Sequence, residues 1–125
     1  MSHLDTAIRH KLKAQDRTQR AFSLLKMIAP NVQFQTVLVF LEICKHHPHP
    51  VQASDIRATL GLSTAAAPRH ISRLSEKSWR FDKERMGREP GMGLIHKDED
   101  RFDARKHVLS LTDKGKQVLE WINEI

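Results

Sequence analysis

The chain has 125 residues, 39% apolar content, one cysteine and a formal charge of +6 at pH 7. That length suits a single domain, 1–125, with a modest core, and Cys44 has no intrachain partner with which to form a disulfide. The N-terminal "MSHLDTAIRHKLK" lacks the apolar run of a signal peptide, and no stretch approaches the roughly 18 apolar residues of a membrane span. The expectation is a soluble, cytoplasmic protein with no membrane partner.

The positive charge is concentrated in two places. Residues 1–30 carry six Lys/Arg against two Asp/Glu, residues 31–62 balance, and residues 63–107 carry eleven against eight. Two basic regions around a neutral one suit a polyanion such as nucleic acid better than evenly spread solubilising charge. Ordinary surface lysines and arginines are the plainer reading of the same numbers.

In chain order, residues 4–29 carry Leu4, Ile8 and Leu12 and then Phe22, Leu25 and Ile28 at helical spacing, which predicts one N-terminal helix ended by Pro30. Asn31 is placed to cap the next helix, where Phe34, Val37, Leu38, Leu41 and Cys44 form an apolar stripe. That helix ends at "KHHPHP", whose prolines suit an interhelical loop more than a metal site built on His46, His47 and His49. "VQA" is long enough for one short strand. Ser54 offers a cap to the short helix "DIRATL", and Gly61 stops it as a residue able to take positive φ.

Ser63 or Thr64 then opens "TAAAPRHISRLSEK", with Ala67, Ile71 and Leu74 on one face and Ala66, Arg69, His70, Arg73 and Lys77 on the other. Two short helices joined by a glycine-containing turn form a helix-turn-helix over 54–77. Pro68 implies that the second helix starts later than Thr64 or bends there. Residues 78–92 contain Gly87, Pro90 and Gly91, so they predict an exposed loop or an extended hairpin. "MGLIH" and "KHVLSL" are two strand-like runs within 93–111. In the second, Leu109 and Leu111 point one way and Val108 and Ser110 the other. Thr112 caps a final helix over 112–125 with its stripe at Val118, Trp121, Ile122 and Ile125. The expected fold is mainly α with a small β wing, a winged helix-turn-helix of order α-α-β-α-α-β-β-α.

The phrases "LGLSTAAAPRHISRLSEK" and "GLIHKDEDRFDARKHVLSLTDKGKQVLE" resemble the MarR-type winged-helix transcription regulators, in order over about residues 31–120. The resemblance implies a homodimeric double-stranded DNA-binding regulator, a repressor, reading the major groove with helix 64–77 and the minor groove with wing 97–107. The wing tip falls at Asp103-Ala104-Arg105, with Arg105 as the minor-groove side chain. Ala104 stands where the family has the first of two arginines, which implies that minor-groove reading is either weaker or shared with Arg101 and Lys106. Arg69, His70 and Arg73, with Ala66 and Lys77, lie where the recognition helix reads bases, and Ser63 and Thr64 suit a phosphate clamp at its start.

Three features depart from the family pattern: Pro68, the extra residues 78–92, and a final helix that reaches only Ile125. A dimer would therefore lean on residues 4–28 and 112–125. The small size and the insert resemble regulators carried by phages and mobile elements.

The "DED" run, Asp98 to Asp100, lies on the approach to the wing turn. Its acids, or Asp103, can hold arginines of the wing or of the recognition helix in fixed rotamers, or they form a solvated turn. Cys44 lies on the apolar stripe and behaves as a small buried hydrophobe rather than a redox sensor. Trp79 and Phe81, interleaved with Arg80, Lys83, Arg85 and Arg88, could contact nucleic acid, dock on another protein or close the core. The chain has no Gly-rich phosphate loop, no nucleophile elbow, no His-Glu-x-x-His and no tyrosine, so neither an enzyme nor a cofactor is expected. Two other readings stay open. One is a winged-helix adaptor for a protein of the transcription or replication machinery, docking through 78–92. The other is a non-specific nucleic-acid binder.

Overall fold

A computed structural model describes residues 6–13, 15–82, 87–103 and 105–124, without the side chains of Lys11, 77–90 and Glu124. Among these residues, six helices and five strands follow in the order α1 (Thr6–Lys13), α2 (Arg17–Ile28), α3 (Phe34–His46), β1 (Val51–Gln52), α4 (Ala53–Leu60), α5 (Ala66–Leu74), β2 (Lys77–Asp82), β3 (Gly87–Pro90), β4 (Ile95–Glu99), β5 (His107–Leu111) and α6 (Asp113–Glu124). No helix among the described residues is long and apolar enough to cross a membrane.

The single N-terminal helix expected over 4–29 is two helices. Asp16 forms a capping box, its carboxylate accepting from Gln19 N–H at 2.8 Å while Gln19 Oε1 accepts from Asp16 N–H at 3.1 Å. Those reciprocal bonds satisfy donors that a new helix start leaves open. The break lets Leu12 and Leu24/Leu25 all reach the core. Leu4 lies outside the described residues.

Two other caps move. Asn31 belongs to a turn, because Val32 is buried and its N–H binds the Ala29 carbonyl, so α3 is capped by Gln33 without a side-chain bond. Ser54 lies within the first turn of α4, since the helix follows β1 directly with Gln52 at its cap. Gly61 does end α4, at φ +65°.

Helix α3 lies at the centre. Eight of its residues, Thr36, Val37, Val39, Phe40, Leu41, Glu42, Ile43 and Cys44, are buried, and it touches α2, α4, α5 and β5. Phe34, expected on its core stripe, is half exposed and meets Phe22 edge-on at 5.6 Å between ring centres. Strands β1, β5 and β4 form an antiparallel sheet in that order, with Val51 opposite Leu109 and Lys97 opposite Leu109 on the other side. Leu109 and Leu111 are buried while Val108 and Ser110 are half-buried, the alternation the sequence predicts.

The segment 78–92 takes the extended-hairpin option, with β2 and β3 pairing antiparallel. Its return is tied to the end of α5 by four backbone bonds, Gly91 N–H to Glu76, Met92 N–H to Arg73, Gly93 N–H to Ser75 and Leu94 N–H to Leu74. The roles considered for Trp79 and Phe81 fall on side chains outside the described residues.

The last helix starts as expected. Thr112 Oγ accepts from Gly115 N–H at 3.0 Å and donates to the Gly93 carbonyl at 2.6 Å. The same turn explains Gly115, where a Cβ would collide with the Leu94 carbonyl oxygen. Helix α6 packs on α2, and Arg20 donates to the Ile122 carbonyl at 3.2 Å, near the helix end where the dipole favours a cation.

Overpacking at Gly115 and backbone strain at Gly61 should be separable. Gly115→Ala is expected to cost about 1 to 3 kcal/mol, because the colliding group is backbone and cannot swing away. Gly61→Ala has open space and should cost about 1 kcal/mol for its left-handed conformation alone. Urea unfolding of both variants measures the difference, and an unchanged midpoint for Gly115→Ala would contradict the close approach.

Candidate nucleic-acid interface

The second helix of the helix-turn-helix runs only over Ala66–Leu74, shorter than the 64–77 expected. Ser63 Oγ accepts from Ala66 N–H at 3.0 Å, so this hydroxyl satisfies a donor of the first turn although Ala65 is the formal cap. Pro68 is the third helical residue, where no helical carbonyl is yet available to its missing N–H, and the helix accommodates it by starting late. At the other end Ser75 is extended and its N–H closes back on Ile71 and Ser72. Lys77 therefore sits on β2 and not on the helix, with its side chain outside the described residues.

The buried face of α5 is Ala67, His70, Ile71 and Leu74. His70 is the second correction to the expected contact set: it is 7% exposed, and its Nδ1 lies 2.9 Å from Thr36 Oγ1 of α3, also buried. A histidine three residues from Ala67 and four from Leu74 falls on the inner face by helical geometry. Burial, and then the charges of Arg73 and Arg69, push its pKa below the ordinary value of 6.5. Ser63, Thr64, Pro68 and Arg69 are exposed, and Ala66 and Arg73 are half-buried.

The wing rises beside that surface. Lys106 and Arg105 share a cavity of about 240 Å³ with Thr64 and Pro68 at the start of α5 and Arg57 of α4. No motif marks Arg57 on α4; only the approach of α4 to the wing brings it to this cavity.

Asp103 holds Arg105, Nε to Oδ1 at 3.2 Å and a terminal guanidinium nitrogen to Oδ2 at 3.3 Å. These bonds keep the Asp103 carboxyl below its usual range. Asp100 accepts from Phe102 N–H at 2.8 Å and from Gln52 Nε2 at 3.3 Å. Asp98 and Glu99 lie exposed along β4. Phe102, between Arg101 and Asp103, is 93% exposed and was not among the expected contacts.

The Cys44 thiol is buried and pushed up to about 12, chiefly by desolvation and against the pull of Arg17. Among the described residues no group of three or more His, Cys, Asp or Glu is arranged to hold a metal ion.

A helix-turn-helix followed by a β-hairpin wing, with the second helix exposing a polar, basic face, defines a winged-helix protein. No family model matches the chain, and no curated protein sequence does. Solved structures share the fold. A DNA-bound structure of reduced AbfR matches at TM-score 0.54 and 21% identity over 92% of this chain and 70% of that one. MarR matches at TM-score 0.57 and 18% identity over 86% of this chain and 66% of that one. The PcaV transcriptional regulator from Streptomyces coelicolor, in complex with its natural ligand, matches at TM-score 0.53 and 23% identity over 99% of this chain and 77% of that one. The chain has the winged-helix fold of MarR-family regulators.

Two titration outcomes follow. Unfolded His70 takes up a proton near pH 6.5, but the folded, buried ring does so only at lower pH, so stability is full above 6.5 and falls as pH drops below it. Denaturant midpoints measured from about pH 7.5 down to about pH 5 should fall more steeply for the wild type than for His70→Gln, and parallel curves would exclude His70 as the cause. Cys44 should resist alkylation at neutral pH in the folded protein and react rapidly once unfolded, since the thiolate is the nucleophile.

Proposed function

We propose that the protein is a sequence-specific, double-stranded DNA-binding transcription regulator, not an enzyme, acting as a cytoplasmic repressor. What carries this reading is the shared surface at the start of α5, where Thr64 and Pro68 meet Arg105 and Lys106 of the wing across one groove. A helix end and a basic hairpin presented together fit a major groove and its adjacent minor groove. The fold shared with a DNA-bound regulator supports the same conclusion.

In this reading Ser63 and Thr64 contact phosphate, Ala66, Arg69 and Arg73 face base edges, and Arg101, Arg105 and Lys106 serve the wing. An arginine here can hold guanine O6 and N7 in bidentate fashion, worth about 1 to 3 kcal/mol of discrimination. His70 acts from beneath, holding the helix on α3.

The unit that binds is a homodimer on a pseudo-palindrome. Met27 and Phe34 are each about half exposed, and a cavity of about 410 Å³ lined by Ile8, Leu12, Ser23, Lys26 and Met27 opens beside α1 and α2, a mostly apolar surface suited to a second copy.

Selection of bound duplexes from a random library tests the whole reading. An inverted repeat preferred about 10³-fold or more over scrambled duplex is the expected result. Tight binding without preference that collapses with salt would make this a non-specific binder, and weak binding throughout would favour a protein-binding adaptor. Arg73→Ala should lower affinity for the selected site far more than for random duplex, whereas Lys13→Ala should lower both modestly. Equal losses would remove base reading by α5.

A further inference from the structure

Phe102 is the most exposed large apolar side chain among the described residues, at 93%. A single exposed hydrophobe is ordinary on a protein surface. Its setting is not: it stands at the turn of a two-stranded wing, with exposed Arg101 before it and exposed Arg105 and Lys106 after it.

The turn is held in shape by carboxylates. Asp100 accepts from Phe102 N–H at 2.8 Å through Oδ1, and its own N–H binds the Lys106 carbonyl at 2.8 Å. Asp103 accepts from Arg105 N–H at 3.1 Å through Oδ1, and its carbonyl accepts from Lys106 N–H at 2.9 Å. The backbone on both sides of the ring is therefore fixed by local acceptors, and an aromatic side chain brings a rigid, wide surface with only two rotatable bonds. Ordering it against a partner costs little entropy compared with an arginine or lysine at the same place.

Resting on the DNA-binding reading above, we propose that Phe102 is a minor-groove wedge: as the wing's cations draw it onto the phosphates, the ring enters a base step, partly unstacks it and bends the duplex. The wing carries as many acids as cations over 97–106, so it is local placement that selects the occupant: Arg101, Arg105 and Lys106 are the exposed charges next to the ring, whereas Asp100 and Asp103 are engaged in holding the turn, and cations beside an exposed ring suit a polyanion. The face of an inserted aromatic ring can also lie against the faces of base pairs, which basic side chains alone do not exploit.

The minor groove is only about 6 Å wide in B-form DNA, so the ring must open it. The step beneath it should then be one that opens cheaply, pyrimidine-purine such as TA or CA/TG. This adds a specificity element that the arginines do not supply. It also gives the acids of the wing a purpose, since Asp100 and Asp103 set the turn that aims the ring.

The test uses the full chain and a duplex taken from library selection, labelled at both ends for energy transfer and carrying 2-aminopurine at the step under the wing. Wild type should shorten the end-to-end distance and raise 2-aminopurine emission. Phe102→Ala should abolish both changes and weaken binding about tenfold, which is about 1.4 kcal/mol, while Phe102→Leu keeps part of each. Thermal unfolding should be unchanged in both variants, because the side chain is exposed.

A Phe102→Ala protein that bends and binds the duplex as wild type does would overturn the wedge while leaving DNA binding intact. Wild type that binds no duplex at all would overturn the DNA-binding reading beneath it. A selected site that binds with Phe102-dependent affinity but no bend and no emission change would overturn the wedge too, since the ring would then only touch the groove wall.

Discussion

Everything the interface can do depends on how α5 is seated on α3. Ala67, Ile71 and Leu74 press into the core, and His70 joins Thr36 across the gap at 2.9 Å. Full burial of a side chain such as Ile71 or Leu74 is worth roughly 1.5 to 3 kcal/mol, and leaving either member of the buried polar pair unpartnered would cost about 1 to 3 kcal/mol. With one face anchored this way, the helix has a single rotational setting. Arg69, Arg73, Thr64 and Ser63 then face outward as a consequence of what faces inward. Helix α3 can serve as the anvil because it is itself packed from several sides, by α2, α4, α5 and β5.

The wing follows a different logic, because little of it is buried. Leu109 and Leu111 fix the inner strand, and beyond them the hairpin is shaped by hydrogen bonds to carboxylates instead of packing. That resolves why a basic surface keeps acids at its edge. Asp100 ties the turn together and reaches Gln52 of β1, while Asp103 holds the Arg105 guanidinium through two oxygens. Their contribution is directional. They aim a cation and an aromatic ring outward, whereas Asp98 and Glu99 lie along the exposed strand before the turn.

Charge at the N-terminus divides between structure and surface. Arg20 donates to the carbonyls of Ile122 and Gln15, Arg17 to the side chain of Asn123, and Lys26 stands 5.5 Å over the Phe22 ring. Part of the basic segment that sequence composition assigns to a polyanion thus fastens α2 to the end of α6. Of that segment's cations, Arg17 and Arg20 therefore have a structural role, while Lys13 stays exposed on α1.

Periodicity and turn chemistry made the helix-turn-helix, the Gly61 stop, the alternation of β5 and the Thr112 cap legible in the sequence alone, because each rests on interactions within a few residues. The "DRTQ" capping box that splits α1 from α2 was also there to be seen, but the continuing apolar spacing masked it. Other features depended on residues distant in sequence. Thr36 meets His70 across 34 positions, so an exposed-face histidine became an internal support. Gly115 is required by the Leu94 carbonyl, and Arg57 joins the interface only because the wing folds back beside α4. The sequence by itself determined the order of most helices and strands and most of their apolar faces, since 3.6- and 2-residue periods are local properties. Only the tertiary structure decided which polar side chains are spent inside and which are left to meet a partner, because that depends on the partner each finds across the core.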